Sequence, residues 1–149
     1  MKIRRKKRNL VRLENISPGC IVSDPSGKNI YLATDDNIEK GNKRMSGLVS
    51  LQNGKLIFYN DVQKVKQLEG ASYHLYEKNS RTEVTDENST LPPGTVFTTE
   101  EAPEPFIKAA VTDNRDRKTQ IAFGIYSGKK RVIRGRKKVN VYPDAVAVI

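Results

Sequence analysis

The sequence has little of the chemistry that most enzymes and metal proteins use. Its 149 residues include one cysteine, Cys20, and one histidine, His74. One cysteine cannot form an intramolecular disulfide, and one cysteine with one histidine cannot supply the four ligands of a Cys–His zinc site. We therefore expect no metal-ligating residues and no cofactor.

The common catalytic motifs are absent as well. The chain contains no P-loop, no G-x-G-x-x-G, no G-x-S-x-G and no H-E-x-x-H, the patterns that place a phosphate, a nucleophile or a metal at a defined turn or helix. The adjacent carboxylates Asp35 and Asp36 lack a third oxygen ligand at EF-hand spacing, so they indicate a capped turn before a polar loop that ends at Arg44. We expect a protein that is not an enzyme and has no catalytic residues.

Long apolar runs are also missing, and none approaches the length of about 18 residues that indicates a transmembrane helix. The first 12 residues are charged and are not followed by the apolar stretch of a secretory signal. The sequence thus predicts a cytoplasmic protein without a membrane partner.

Positive charge is what the chain has in excess. The formal net charge is +10, and 14 of the 27 basic residues fall in two segments, 1–12 and 129–138, that contain no acid. Such a balance favours an acidic protein assembly, nucleic acid or an anionic surface as partner, although a solvated basic surface is the alternative. The candidate contact residues are Arg4, Arg5, Lys6, Lys7 and Arg8 in an extended N-terminal arm, and Lys129, Lys130, Arg131, Arg134, Arg136, Lys137 and Lys138 in a projecting basic hairpin.

The clearest local signal for structure lies between Ser46 and Phe58. Apolar residues at 48–51 and 56–58 flank the sequence Gln52-Asn53-Gly54-Lys55. Asn-Gly between strand-like runs is typical of a tight β-hairpin, because both residues tolerate the positive φ of a type I′ turn. The pattern predicts a hairpin at the centre of a small antiparallel barrel.

The same order of turn, strand, loop, hairpin and closing strand occurs twice. The Pro-Gly turn at 18–19 is echoed at 93–94, the strand at 30–36 by 106–114, the hairpin at 48–55 by 122–129, and the closing strand at 62–65 by 139–142. Short strands between Gly and Pro turns are typical of small, bent barrels. The ordered repeat predicts an internal duplication.

We therefore expect a mainly β protein with two tandem small SH3-like antiparallel β-barrels. The predicted parts are a basic N-terminal arm at 1–12, a first barrel at 13–70, a polar acidic linker with a short strand at 71–89, and a second barrel with the basic hairpin at 90–149. The apolar residues 145–149 predict a terminal strand or a subunit contact, through which the protein would form a homo-oligomer.

The P-G-x-[VIF] opening, the strand ending in Thr-Asp and the hairpin G-L-V-S-L-x-N-G-x-L resemble small accessory and structural proteins of tailed bacteriophages that have tandem SH3-like repeats. The resemblance covers most of each repeat. It has no catalytic motif and gives no site residues to carry over. It implies a protein that is made in the host cytoplasm and then carried in the virion.

Three functions remain open. The first is a non-enzymatic virion structural or assembly protein, associated with capsid or tail, that binds a larger acidic assembly through its basic arm and hairpin. The second is a nucleic-acid-binding accessory protein that contacts phosphates without reading bases. The third is a phage-encoded inhibitor of a host protein. The arm and the duplication favour the first function, whereas the charge favours the second.

Overall fold

A computed structural model describes residues 10–110 and 120–149 and confirms a mainly β protein. It has two large, separate antiparallel sheets and a small two-stranded one. The first sheet contains β1 (Leu10–Arg12), β2 (Ile21–Ser23), β3 (Ile30–Lys40), β4 (Lys43–Ser50), β5 (Leu56–Asn60) and β6 (Lys64–Gln67). After β7 (Ser72–His74), the second sheet contains β8 (Arg81–Thr85), β9 (Val96–Thr99), β10 (Phe106–Lys108), β11 (Gln120–Gly124), β12 (Lys130–Ile133) and β13 (Lys137–Val141), and β14 (Val146–Val148) comes last.

The first sheet has the strand order β1-β6-β2-β3-β4-β5. Strands β2 to β5 follow one another as a meander, and β6 returns to pair with β2, with Val22 opposite Gln67. The β-branched and large apolar residues on the inner face pack into one core. This core consists of Leu13, Val22, Tyr31, Ala33, Leu48 and Val65.

The second sheet repeats this arrangement strand for strand, in the order β8-β13-β9-β10-β11-β12. Backbone hydrogen bonds fix the correspondence: Gly19 donates to the Ala33 oxygen, and Gly94 donates to the Lys108 oxygen, both at 2.8 Å. The strand pairing extends this correspondence. Val22 lies opposite Gln67 in the first sheet, and Phe97 lies opposite Val141 in the second. The second core consists of Leu91, Phe97, Phe106, Ala122, Ile133, Val139 and Val141.

Two alignments of the predicted repeat need correction. The same hydrogen-bond pattern makes Asp35 correspond to Ala110, where the Asp35 amide bonds to Gly128 and the Ala110 amide bonds to Gly54. The predicted counterpart at 111–114 lies outside the described residues. In the closing strand Val65, rather than Val62, corresponds to Val139. Both registers are fixed by which side chains enter the core. Similarity between the two residue sequences does not reveal this constraint.

The central hairpin is confirmed, but its predicted turn type is wrong. Strands β4 and β5 pair antiparallel, with Val49 opposite Leu56. Gly54 has φ 73°, whereas no non-glycine residue in the described chain has a positive φ, so Asn53 does not adopt the type I′ conformation. Instead the Gly54 amide bonds to the Ser50 oxygen at 2.8 Å, and the loop is longer than two residues.

Three further segments differ from the predicted layout. The predicted polar loop from Asp35 to Arg44 is the extended tip of the β3–β4 pair, which continues past an irregularity between Ala33 and Asn37. Strand β1 lies inside the predicted arm and pairs with β6. Strand β8 lies inside the predicted linker and pairs with β13. Strand β1 has only three residues and follows the basic residues of the arm, and β8 has a single large apolar residue, so neither shows a clear strand pattern in the sequence.

The predicted terminal strand is present as β14, and its partner lies in the same chain. Val146 lies opposite His74 of β7, and Val148 lies opposite Ser72. The two strands form a separate small sheet, and Val146, Val148 and Ile149 remain exposed.

The two larger sheets pack against each other through a third apolar cluster, which contains Leu32, Val49, Ile107, Ala109, Phe123 and Ile125. Leu32, Val49 and Phe123 are completely buried, and each such side chain contributes about 1.5–3 kcal/mol. The hairpin turn of each sheet also bonds to the other sheet. The Gly54 oxygen accepts from Ala110, and the Gly128 oxygen accepts from Asp35, both at 2.9 Å.

Candidate anion-binding surface

The five predicted contact residues of the N-terminal arm, Arg4, Arg5, Lys6, Lys7 and Arg8, lie outside the described residues. Strand β1 begins at Leu10, directly after Asn9 in the sequence. Since β1 pairs with β6, the arm precedes an edge strand of the first sheet.

The predicted basic hairpin is wrong as a structural unit. Strands β12 and β13 do not pair with each other, because β12 is an edge of the sheet and three other strands separate it from β13. Strand β13 pairs with β9 and β8 instead. At the end of β12, Ile133 enters the core, whereas Val132 is exposed.

The seven predicted residues of this segment therefore have different surroundings. Lys129 follows the β11–β12 turn, Lys130 and Arg131 lie on β12, Arg134 and Arg136 lie in the next turn, and Lys137 and Lys138 begin β13. Arg134 and Arg136 flank Gly135, which has φ 67°. All except Lys137 are exposed.

Three of these residues are engaged in contacts within the chain. The Lys130 ammonium lies 3.4 Å from the Asp36 carboxylate, and its backbone amide donates to Asp35 at 2.9 Å. Lys137 Nζ lies 3.1 Å from Glu101. The Arg131 guanidinium lies 5.4 Å from the centre of the Phe106 ring, a cation–π geometry. These cations have structural partners already.

The other four, Lys129, Arg134, Arg136 and Lys138, form no ion pair with a carboxylate of the described residues. The Lys138 side chain faces outward, because its neighbour Val139 is buried in the second core and side chains alternate along a strand. These four remain candidates for binding an anion.

The sequence reasoning missed a second basic surface, which lies on β1 and β6. Arg12 is directly opposite Lys64, and Leu10 is opposite Lys66. Val65 between the lysines is completely buried, so Lys64 and Lys66 face away from the core. We call Arg12, Lys64 and Lys66 the outer basic row. The Lys-Val-Lys alternation was the signal for it.

The outer basic row is electrostatically unfavourable by itself. Like charges directly opposite each other destabilise a strand pair. Arg12 is partly compensated by Glu14, whose carboxylate lies 3.6 Å away. Lys64 and Lys66 have no carboxylate partner in the described part of the chain. An anion bound across the row would relieve this repulsion.

The basic position is repeated in the second sheet. Val65 and Val139 occupy the same place in the two closing strands, and each is preceded by a lysine, Lys64 or Lys138. Each sheet therefore presents a cation at the start of its closing strand. The following position differs, because Lys66 corresponds to Asn140.

The carboxylates of the groove beside the β3–β4 tip are held in structural contacts. The groove has a volume of about 700 Å³ and is lined in part by Asp35, Arg44 and Asp61. Asp35 accepts the Lys130 amide, and Asp61 accepts from Ser46 at 2.5 Å and lies 3.5 Å from Arg44. These contacts orient the β3–β4 tip and the turn before β6. Among the described residues, no group of three His, Cys, Asp or Glu side chains could hold a metal ion.

No family model, curated protein or solved structure matches the chain. Within residues 10–110 and 120–149, no helix is long and apolar enough to cross a membrane.

Proposed function

We propose that the protein is a non-enzymatic structural or assembly protein of a phage virion, which binds a larger acidic protein assembly through its basic surfaces. The observation that carries the proposal is the outer basic row, where Lys64 and Lys66 face outward without a carboxylate partner in the described chain. The resemblance of the repeated turn and hairpin to phage accessory proteins supports the virion context.

The SH3-like barrel belongs to the same proposal. In each large sheet, a four-strand meander is followed by a strand that returns to its first strand, as β6 pairs with β2 and β13 with β9. Each sheet also packs against a core of its own. We propose that each sheet curves into a small barrel, and that the two interlocked barrels form one body that docks on the assembly.

A nucleic-acid-binding accessory protein is the second candidate. Lys64 and Lys66 are two residues apart on one strand, which places them about 6.8 Å apart, and Arg12 lies across the ladder. Such a row can follow a phosphate backbone without reading bases. This candidate predicts binding to any sequence.

The test removes the two lysines of the outer basic row. K64Q/K66Q should lower co-sedimentation of the tagged protein with phage particles assembled in the same cells by about tenfold, because complementary charge at the interface is lost. The matched control is K40Q/K43Q, which removes the same charge from the exposed tip of β3–β4 and should leave recovery unchanged. Equal recovery of all three proteins would contradict the proposal.

Fluorescence anisotropy with duplex DNA, single-stranded DNA and RNA separates the two candidates. Phosphate contacts predict binding that weakens steeply between about 50 and 200 mM salt, with a slope reduced by about 0.9 for each duplex phosphate contact that K64Q/K66Q removes. That result would support the nucleic-acid candidate over the assembly protein. An absence of binding at low salt would leave an acidic protein surface as the partner.

A further inference from the structure

Strand β5 is an edge of the first sheet with no described strand on its outer side, and it differs from its counterpart in the second sheet. Its only strand partner among the described residues is β4. The corresponding edge of the second sheet is β12. An uncovered edge offers free backbone donors and acceptors to another strand.

The backbone groups that β5 offers can be identified from its ladder with β4. Ser50 donates to the Lys55 oxygen at 2.9 Å, and Asp61 donates to the Arg44 oxygen at 3.0 Å. Because hydrogen-bonded pairs alternate in an antiparallel ladder, Ile57 and Tyr59 direct their amides to β4. Leu56 and Phe58 direct theirs away from the sheet, toward the free edge.

Charge distinguishes the two edges. From Leu56 to Asn60, β5 has no acidic or basic residue and no proline. The corresponding positions of β12 include Lys130 and Arg131. Charged side chains on an edge strand discourage the addition of another strand. The charges on β12 therefore protect the second sheet against the addition of another strand, whereas β5 gives the first sheet no such protection.

We propose that β5 is a self-association surface, where the β5 strands of two copies of this chain pair antiparallel about a two-fold axis at Phe58. The outward Phe58 amide of each copy would donate to the outward Phe58 oxygen of the other copy. Leu56 would then lie opposite Asn60 of the partner subunit. The inference goes beyond the proposed function, because it uses an uncharged edge and not the basic surfaces.

A second copy fits this edge because the edge is complementary to itself. No like charges meet when β5 faces β5, and a two-fold axis closes the assembly as a dimer with one continuous sheet. The same pairing of β12 about Val132 would place Lys130 opposite Arg134 of the partner subunit, so that like charges meet. Strand β14 also has an outer edge, but it has only three residues and extends a two-stranded sheet.

Sedimentation equilibrium of the full chain tests the proposal at two salt concentrations. A net charge of +10 opposes self-association, so the dimer should become stronger from about 150 to 500 mM salt as the repulsion is screened. F58K places two lysines opposite each other and should weaken the dimer by at least tenfold. The matched control V132K changes the corresponding outward position of β12 and should leave it unchanged.

A second variant and a backbone measurement exclude a folding defect as the cause. F58P removes an amide that does not bond to β4, a position where an edge strand tolerates proline, and should weaken the dimer as F58K does. In the unmodified protein, hydrogen exchange at the Phe58 amide should slow as concentration rises, whereas exchange at Val132 should not. A wild-type protein that is monomeric at about 100 µM, a dimer that survives F58K, or equal loss in V132K would overturn the proposal.

Discussion

Lys108 is an amine that the fold takes out of water. It is 4% exposed on β10, and its ammonium donates to the Ala109 oxygen at 3.0 Å. Burial lowers the pKa of Lys108 from its ordinary value of 10.5, since desolvation disfavours the charged form. The corresponding residue of the first sheet is Ala33, an apolar core residue. The second sheet is therefore destabilised by the desolvation of a buried charge, and the first sheet is not.

This cost depends on pH in a defined direction. The folded state has the lower pKa, so the unfolded chain binds more protons between that pKa and 10.5. The free energy of unfolding should then rise with pH across this window and stay at its lower level below it.

We expect K108M to raise the free energy of unfolding at pH 7 by about 1–2 kcal/mol, because it removes a desolvated charge and keeps most of the volume. The alkaline rise in stability should disappear with it. Urea unfolding from pH 7 to 10.5 measures both effects, with 10.5 as the ordinary pKa. The exposed K129M should change stability by less than about 0.5 kcal/mol. A destabilised K108M would mean that hydrogen bonds compensate the buried ammonium.

Among the elements, those with a strong local pattern were predictable from sequence. The β4–β5 hairpin has an apolar run on each side of its turn, and the 145–149 tail is apolar throughout; both form strands. Strand β8 was not predictable, since Arg81–Thr85 has a single large apolar residue, Val84, and its partner β13 lies far along the sequence.

The candidate site was predictable only in part, for the same reason. Charge density identified residues 129–138, but the separation of β12 from β13 follows from the return of β13 to β9. The outer basic row arises where Arg12 meets Lys64 across β1 and β6. Such pairing between distant segments is invisible in a linear pattern.

Gln120 shows how one buried side chain can secure a weakly patterned element. It is 3% exposed on β11, and its amide nitrogen donates to Thr85 Oγ1 at 2.7 Å and to the Asp86 oxygen at 3.2 Å. Its amide oxygen accepts from the Leu91 backbone at 3.2 Å. These contacts hold the end of β8 and the following segment over the second core.

We expect Q120L to lower the free energy of unfolding by about 2–3 kcal/mol, because buried groups of Thr85 and Leu91 lose their partner. Chemical denaturation measures the loss, and hydrogen exchange should increase first in β8. The control Q63L changes an exposed glutamine and should alter stability by less than about 0.5 kcal/mol. If both variants were equally stable, Gln120 would not secure β8.

At the scale of the whole molecule, the two large sheets are fastened by reciprocal contacts. Gly54 of the first sheet fits against Gly94 and the Lys108 oxygen of the second. Gly128 of the second fits against Gly19 and the Ala33 oxygen of the first. The hairpin turn of each sheet therefore packs against the equivalent site on the other sheet. Because the two sheets are joined at these two points and by an apolar cluster, the strands that carry the described basic residues have fixed relative positions.

Alanine variants can separate two contributions of these glycines to stability. One is the contact between the sheets, and the other is the positive φ that glycine adopts easily. Gly54 and Gly128 have φ of 73° and 68°, close to the 77° and 67° of Gly27 and Gly135. Alanine at any of the four costs about 1–2 kcal/mol in backbone conformation. A Cβ at Gly54 would also lie 2.6 Å from the Lys108 oxygen, and one at Gly128 would lie 2.5 Å from the Ala33 oxygen. At Gly27 and Gly135 a Cβ would meet nothing within 4 Å.

We therefore expect G54A and G128A to lose at least about 2 kcal/mol more than G27A and G135A, as measured by urea unfolding. Since both turns fasten the same interface, the double variant G54A/G128A should lose less than the sum of the single losses. The hydrogen exchange of the Ala110 and Asp35 amides, which cross the interface, should increase in the variants at Gly54 and Gly128. Equal losses at all four glycines would show that the turns do not hold the two sheets together.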